Sequence, residues 1–292
     1  MIIDPYMNEW LNLFARWFHV FAGILWIGTT YFFTWLDGQL TEEERAATGE
    51  RAEVWMVHSG GFYVVQKEKK PGTRALHWFR WEAALTWLSG MFLLVLVYYM
   101  GGALIDPDVR DTFVKGANGM MGGNINKAFD LSAHYNEFAI VIGIGLLIVA
   151  WVVYDLMVQS ALGKNEILFA VISYALVVCV AFSLALVFSG RAVYIHVGAM
   201  FGTIMAANVW MRILPAQRRM IAATKEGKTP DANLAARAKL RSKHNTFMVV
   251  PLIFTMISNH FPSTTYGEKY NWAILSLLVL LGWGAAKLIR RA

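Results

Sequence analysis

Apolar stretches long enough to cross a lipid bilayer recur along this sequence and constrain its fold more than any other feature. An α-helix rises ~1.5 Å per residue, so about 20 apolar residues span the hydrocarbon core. The pattern predicts an all-α, polytopic transmembrane helical bundle of about seven to eight spans, in a single integral membrane domain over residues 1–292. The seven spans that we delimit are residues 10–35, 78–100, 132–157, 166–188, 193–213, 244–261 and 270–289.

The composition agrees with a membrane protein and excludes several kinds of site. The chain is 57% hydrophobic and only 16% charged, which is unusual for a soluble globular protein. Its first apolar run is too long for a signal peptide and lacks a small-residue cleavage site, so we expect it to remain as a span. The single cysteine, Cys179, excludes a disulfide framework within the chain, a cysteine zinc site and the C-x-x-C-H motif of covalently bound haem.

The positions of lysine and arginine predict the orientation of the chain. Residues 37–77, 158–165 and 214–243 and the C-terminal tail carry far more of them than the loops after the second, fourth and sixth spans. Basic loops stay on the cytoplasmic side, so we expect the N-terminus outside and the C-terminus in the cytoplasm. The net charge of +6 then reflects topology, and no nucleic-acid partner is expected.

The segment of residues 241–262 has an apolar middle with a polar pair at each end. These pairs are His244-Asn245 and Asn259-His260. In one helix, Asn245 and Asn259 are fourteen residues apart, which at ~100° per residue brings them within about 40° of the same face. Pro251 between the pairs opens a backbone carbonyl. The pattern favours a functional helix over ordinary interfacial residues.

The first span carries a stripe of residues at three- and four-residue steps. They are Arg16, His19, Gly23, Trp26, Thr30 and Phe33. A histidine near mid-membrane is costly unless it faces a protein interior, a cavity or a bound group. We interpret His19 as a ligand or substrate contact; a buried histidine bonded to a neighbouring helix is the alternative.

Two further features each allow two interpretations, and a third indicates helix packing. Gly60-Gly61, in the stretch V-H-S-G-G-F-Y that begins at Val57, permits either a close approach to a ligand or an ordinary tight turn. Glu82 near an interface is either functional or paired with Arg80. Gly198 and Gly202 form the G-x-x-x-G spacing of closely packed helices.

The predicted topology sorts the histidines into two tiers. The outer tier contains His134, Arg191, His196 and His260, with His19 somewhat deeper. Neutral imidazoles between packed helices are the usual axial ligands of a b-type haem, and an arginine beside them suits a carboxylate, a haem propionate or an anionic heterocycle. A metal site is less favoured, because no H-x-x-x-H or H-E-x-x-H motif is present.

The cytoplasmic tier contains His58, His77 and His244. The adjoining basic residues Arg241 and Lys243 and the Gly60-Gly61 turn suit a planar anion. The residues alone do not decide which tier holds a cofactor and which holds a substrate.

Several stretches, spread in order over almost the whole chain, together resemble the membrane-integral urate oxidases of the PuuD family. They are V-H-S-G-G-F-Y, W-F-R-W-E-A-A-L-T-W-L-S-G, A-W-V-V-Y-D, F-S-G-R, G-T-I-M-A-A-N-V and R-S-K-H-N through I-S-N-H-F-P. The first span also resembles the membrane haem proteins of the HemJ and copper-resistance D type, which suggests a haem role for His19.

The resemblance implies an oxidoreductase of the bacterial inner membrane that converts urate to 5-hydroxyisourate in purine degradation. Urate is a planar anion, and its oxidation removes two electrons and a proton and adds water. Since no side chain here accepts electrons reversibly, we infer one or two haem b groups that pass electrons to a cytochrome c. The expected partners are therefore urate, a cytochrome c and membrane lipid.

Combined with the tiers, the resemblance implies roles for nine residues. The expected catalytic residues are His58, Glu82, His244 and Asn245. The expected cofactor-binding residues are His19, His134, Arg191, His196 and His260, of which His19, His196 and His260 are candidate ligands of haem iron.

One departure from the family keeps other functions open. Longer members carry a C-terminal cytochrome c domain, whereas this sequence stops at Ala292 without a C-x-x-C-H motif, so a separate cytochrome is expected. The alternatives are a b-type membrane cytochrome of another redox pathway and a transporter for a purine-like anion. The lack of a visible inverted repeat argues against the transporter.

Overall fold

A computed structural model describes residues 4–46, 52–68, 75–122 and 130–290, and most of these residues are helical. The helices are α1 Pro5–Ala46, α2 Trp81–Leu94, α3 Pro107–Met120, α4 Tyr135–Gln159, α5 Glu166–Ala185, α6 Gly190–Ala207, α7 Leu214–Lys225, α8 Ala232–Ile257 and α9 Asn271–Ile289. The strands β1 Glu53–His58 and β2 Gly61–Gln66 form an antiparallel hairpin. The predicted all-α membrane bundle is confirmed.

Six of the described helices are long and apolar enough to cross a membrane. They comprise Pro5–Arg45, Trp81–Tyr99, Tyr135–Gln159, Glu166–Ala185, Gly190–Lys225 and Asn271–Ile289. The remaining predicted span, 244–261, lies mostly within α8. Helix α8 is not among the six because its first half is too polar, with Arg237, Lys239, Arg241 and Lys243.

Two predicted loops contain regular structure. Residues 37–46 continue α1, and the hairpin that follows packs Val54 against Leu36 and Leu40. The Asp106-Pro107 pair begins α3, in the region between the second and third predicted spans: the Asp106 carboxylate accepts hydrogen bonds from the backbone N–H groups of Asp108 and Val109. Aspartate at the N-cap with proline at the first helical position is a helix-start signal, so the sequence itself favours a helix here.

Two helices change pitch where polar residues enter the interior. Helix α2 ends in a π-helical segment, Val95–Tyr99, and α6 continues into another, Asn208–Ile213, before α7 begins. Single-turn π segments are rare and are frequent at functional sites.

Helix α6 is the centre of the bundle. In Gly190–Lys225, 78% of the most apolar 18-residue stretch is buried inside the protein. In the other five described spanning helices, the buried share of this stretch is at most 28%. The chain breaks between the predicted spans 166–188 and 193–213, where Ser189 begins α6 by accepting a hydrogen bond from the N–H of Ala192. The glycine pair of α6 faces α8, since Gly198 lies against Thr255 and Gly202 against Leu252.

The two glycines differ in how closely α8 approaches them. A β-carbon at Gly198 would overlap the Thr255 hydroxyl and lie 3.1 Å from Cε of Met256, whereas the nearest atom to one at Gly202, Cδ1 of Leu252, is 3.5 Å away. We expect Gly198→Ala to destabilise the protein by about 1–3 kcal/mol through overpacking. Gly202→Ala is the matched control and should have little effect. Thermal unfolding in detergent measures both, and equal melting temperatures would contradict this packing.

Candidate functional site

A buried polar network joins α4, the second π segment and α8. We call it the Asp155 network; it consists of Tyr154, Asp155, Asn208, Arg241, His244 and Asn245. Polar side chains inside a membrane protein are expensive unless they satisfy one another, and they commonly mark functional sites. The network is therefore the strongest candidate site in the described part of the chain.

An ion pair anchors the network. Nη2 of Arg241 lies 2.7 Å from Oδ1 of Asp155, and these residues are only 4% and 6% exposed. Arg212, on the π segment, also donates to the Asp155 carboxylate, as does Gln159. One carboxylate thus faces two guanidinium groups, which leaves an excess positive charge.

A chain of hydrogen bonds runs from Arg241 to His244. Nη1 of Arg241 donates to Oδ1 of Asn208 at 3.2 Å, and because arginine can only donate, this contact fixes the orientation of the Asn208 amide. The Asn208 amide nitrogen then donates to the Tyr154 hydroxyl at 3.0 Å and to Oδ1 of Asn245 at 2.9 Å.

The chain ends at a bridge of 2.9 Å between the Tyr154 hydroxyl and Nδ1 of His244. When Tyr154 donates the bridging proton, neutral His244 carries its own proton on Nε2. When Nδ1 donates, Nε2 is a free base. Among the described residues no hydrogen bond is formed by Nε2 of His244, so this nitrogen is available to a ligand in either state.

Aromatic rings surround the charged groups. Phe169 stacks on His244, with ring centroids 4.9 Å apart and planes at 19°. Cζ of Arg241 lies 5.1 Å from the ring centre of Tyr154 and 5.9 Å from that of Trp151. Positive charge, amide groups and flat apolar walls together suit a planar anion.

The structure brings only part of the predicted catalytic set together. His244 and Asn245 belong to the Asp155 network, whereas His58 is exposed at the end of β1. Glu82 lies in α2, one turn before Thr86, and its Oε2 is buried without a hydrogen-bond partner in the described residues. The catalytic roles of these four residues stay predictions.

Asn245 of α8 and Asn259 of the 3-10 turn that follows it both bond to α6, as their spacing predicts. Asn245 donates to the carbonyl of Met205 at 3.1 Å, and Oδ1 of Asn259 accepts from Nε of Arg191 at 3.0 Å. The Arg191 guanidinium also lies over the ring of Tyr98 at 5.7 Å. The two polar pairs of residues 241–262 therefore attach opposite ends of α8 to the central helix.

His19 and His196 are the two predicted haem ligands that lie between helices. Nδ1 of His19 is 3.0 Å from the carbonyl of Thr86 and 3.0 Å from the hydroxyl of Ser89. Nδ1 of the fully buried His196 donates to the carbonyl of Ala192 at 2.8 Å. A carbonyl only accepts, so each ring carries its proton on Nδ1 and presents Nε2 as an acceptor.

This tautomer is the one that a histidine ligand of iron requires, and a glycine lies beside each ring. A β-carbon on Gly90 would lie 2.9 Å from Cε1 of His19, and one on Gly143 would lie 2.9 Å from Nε2 of His196. The protonation state of the His19 and His196 rings therefore fits haem ligation. Nε2 of His196 accepts a hydrogen bond from the Tyr99 hydroxyl at 3.2 Å, so iron ligation at this nitrogen requires Tyr99 to move, whereas Nε2 of His19 forms no hydrogen bond among the described residues.

The other predicted ligands occupy the surface. His134 is exposed at the start of α4, and His260 is exposed in the short 3-10 turn after α8. Within the described ranges, no three His, Cys, Asp or Glu side chains cluster as a metal site. The haem roles of all five outer-tier residues stay predictions.

Sequence reasoning assigned no role to four residues that the structure brings into or against the network. They are Tyr154, Asp155, Asn208 and Arg212. Tyr154, Asp155 and Asn208 lie in stretches that carried the family resemblance. An aspartate within an apolar span is by itself a functional candidate, and this signal was sufficient to find Asp155.

The network predicts unequal costs for neutralising two carboxylates. We expect Asp155→Asn to destabilise the protein by about 3–5 kcal/mol, because it leaves the buried Arg241 without its counter-ion. The matched control is Glu166→Gln, which removes an ion pair between Lys243 and the 69% exposed Glu166 side chain and should change stability by about 0–1 kcal/mol. Thermal unfolding of both variants in detergent checks the difference; equal losses would show that Asp155 is not the anchor.

Comparison with known proteins gives one match. A family model described as urate oxidase N-terminal matches residues 5–290. No curated protein and no solved structure matches the chain. The matched region contains all of the described helices, the whole Asp155 network and both interhelical histidines. The chain belongs to the urate oxidase N-terminal family.

Proposed function

We propose that this protein oxidises urate to 5-hydroxyisourate and that urate binds at the Asp155 network. Family membership supports a urate-related oxidoreductase. The observation that carries the proposal is the position of His244, which joins a positively charged hydrogen-bond chain to an aromatic wall.

The binding argument rests on charge and shape. Urate is a flat monoanion at neutral pH, with N–H and C=O groups around its edge. Arg241 and Arg212 exceed the single Asp155 carboxylate by one positive charge. The buried Arg241 is paired with Asp155, so the surplus charge lies on Arg212, whose side chain is 42% exposed and faces an approaching anion from the rim of the network. The Phe169 ring stacks on the His244 ring and forms an aromatic wall beside the charged groups.

The proposed base is His244. Oxidation of the urate monoanion with addition of water releases two electrons and one proton. With its own proton on Nδ1 and donated to Tyr154, His244 accepts that proton at Nε2. Asn208 and Arg241 stand behind Tyr154 and hold its oxygen in place. Asn245 positions Asn208 and does not need to touch urate.

The electrons need an acceptor that the side chains do not provide. Haem b, as one or two groups, would supply reversible one-electron acceptance, and a separate cytochrome c would receive the electrons. His19 and His196 would hold such a group through Nε2, and the propionates would find a cation in Arg191. We place this chain in a bacterial inner membrane with its N-terminus outside and its C-terminus in the cytoplasm.

The decisive experiment is an anaerobic visible spectrum of the detergent-purified protein before and after addition of urate. We expect a Soret band that sharpens, with new α and β bands, as urate reduces the bound haem. A haem spectrum that does not respond to urate would contradict urate as the substrate. A preparation without haem would contradict the redox mechanism.

Loss of the proposed base should reduce turnover without loss of cofactor. We expect His244→Gln and Tyr154→Phe to lower kcat for urate, His244→Gln by about 10²–10⁴-fold, while haem content is unchanged. The control is His77→Gln, an exposed histidine outside the network. Stopped-flow reduction by urate measures the rate. Wild-type rates in both network variants would show that catalysis occurs elsewhere.

Loss of the proposed axial ligands should have the opposite signature. We expect His19→Ala and His196→Ala each to lose haem, as measured by the pyridine haemochrome assay, because each removes an imidazole whose Nε2 is oriented as a ligand. The His244→Gln protein is the control that retains haem. A full haem complement in both variants would remove the assignment.

A further inference from the structure

The hairpin that follows α1 has two apolar faces, of which only one is covered. The register pairs Trp55 with Val64 and Val57 with Phe62, so these four side chains lie on one face, with the polar pair Glu53–Gln66 at the open end of the same face. Val54, Met56, Tyr63 and Val65 lie on the other face. The second face packs on Leu36 and Leu40 of α1. We call the first the outer face of the hairpin.

The outer face is strongly exposed. The exposed fractions are 70% for Trp55, 69% for Val57, 82% for Phe62 and 46% for Val64. A two-stranded hairpin that shows this face to water is unfavourable, because large contiguous apolar surface in soluble regions marks an interaction site. Tryptophan is enriched at membrane–water interfaces, and Trp55 and Phe62 are of the kinds that interfacial segments insert into the acyl boundary.

The attachment to α1 fixes the height of the hairpin relative to the bilayer. The predicted first span ends at Trp35, and Leu36 and Leu40 follow by one and five residues, which is about 2–8 Å along the helix axis. The headgroup layer of each leaflet is about 5–8 Å thick. The hairpin therefore packs on the part of α1 that passes through the headgroups.

Charges at the same height favour a lipid neighbour. Asp37 binds Lys67, directly after the hairpin, at 3.0 Å and Lys239 of α8 at 2.7 Å. Basic residues beside an interfacial apolar surface attract anionic headgroups.

Helix α1 lies at the periphery of the bundle, since only 6% of its most apolar 18-residue stretch is buried. A segment attached to the side of α1 is thus adjacent to the surrounding lipid. Four side chains are also too few for a stable interface between proteins, which takes roughly 800 Å² from each partner.

We propose that the outer face of the hairpin is a lipid-binding surface, with Trp55, Val57, Phe62 and Val64 immersed at the boundary between headgroups and acyl chains. The hairpin then anchors the cytoplasmic end of α1 in the membrane surface. This role is independent of the reaction proposed above.

Site-directed spin labelling tests the proposal with the full chain in vesicles of phosphatidylcholine and phosphatidylglycerol. In a Cys179→Ser background, single cysteines replace Val57 and, as the matched control on the covered face, Met56. Reference labels replace the lipid-exposed Val141 of α4 and the exposed Glu226 at the end of α7. The readout is the ratio of collision rates with oxygen, which partitions into lipid, and with a water-soluble nickel chelate.

We expect the label at position 57 to give a ratio close to that at position 141 and well above that at position 226. The label at position 56 should collide slowly with both reagents. A ratio at position 57 equal to that at position 226 would show that the face lies in water. Slow collision with both reagents at position 57 would show that protein covers it, from this chain or a second copy, and would equally overturn the proposal. A Val64→Cys label repeats the measurement on the other strand.

Discussion

The arrangement of the central helices depends on one carboxylate that is buried among apolar side chains. Asp155 lies near the end of α4, and burying its charge is unfavourable unless opposite charges approach closely. Arg241 of α8 and Arg212 of the second π segment supply them. Three separate parts of the chain must therefore meet at one point, and this requirement fixes the mutual height of α4, α6 and α8.

The same requirement produces the candidate site. Arg241, one of the two arginines that compensate Asp155, needs a further acceptor, which brings in Asn208. Asn208 in turn needs acceptors for two N–H groups, which brings in Tyr154 and Asn245. His244 is reached at the end of this series. A site built in this way is rigid before any ligand arrives, so little conformational entropy is lost on binding.

Much of this arrangement could be predicted from the sequence, and the features that could not be predicted have physical causes. Apolar runs and glycine spacing depend on local periodicity, so the helical bundle and the contact between Gly198 and α8 were predictable. The common face of Asn245 and Asn259 followed from helix geometry alone. The hydrogen-bond partners did not, because the meeting of Tyr154 with His244 joins residues 90 positions apart and depends on how the helices pack. Continuation of α1 beyond Trp35 was missed because a polar sequence can remain helical where a hairpin packs on it.

The two π segments have a consequence for how such a protein can diverge. Each lies where side chains enter the interior: Tyr98 and Tyr99 of the first contact His196, and Asn208 and Arg212 of the second belong to or contact the Asp155 network. A π turn holds an extra residue compared with an α turn, and in a regular helix one residue corresponds to a rotation of ~100°. Gain or loss of one residue at a π turn therefore changes the direction of the side chains that point into the bundle. The rest of the helix keeps the same side chains facing the lipid. Relatives that act on different ligands are therefore expected to differ by single-residue insertions or deletions at these two turns as well as by substitutions.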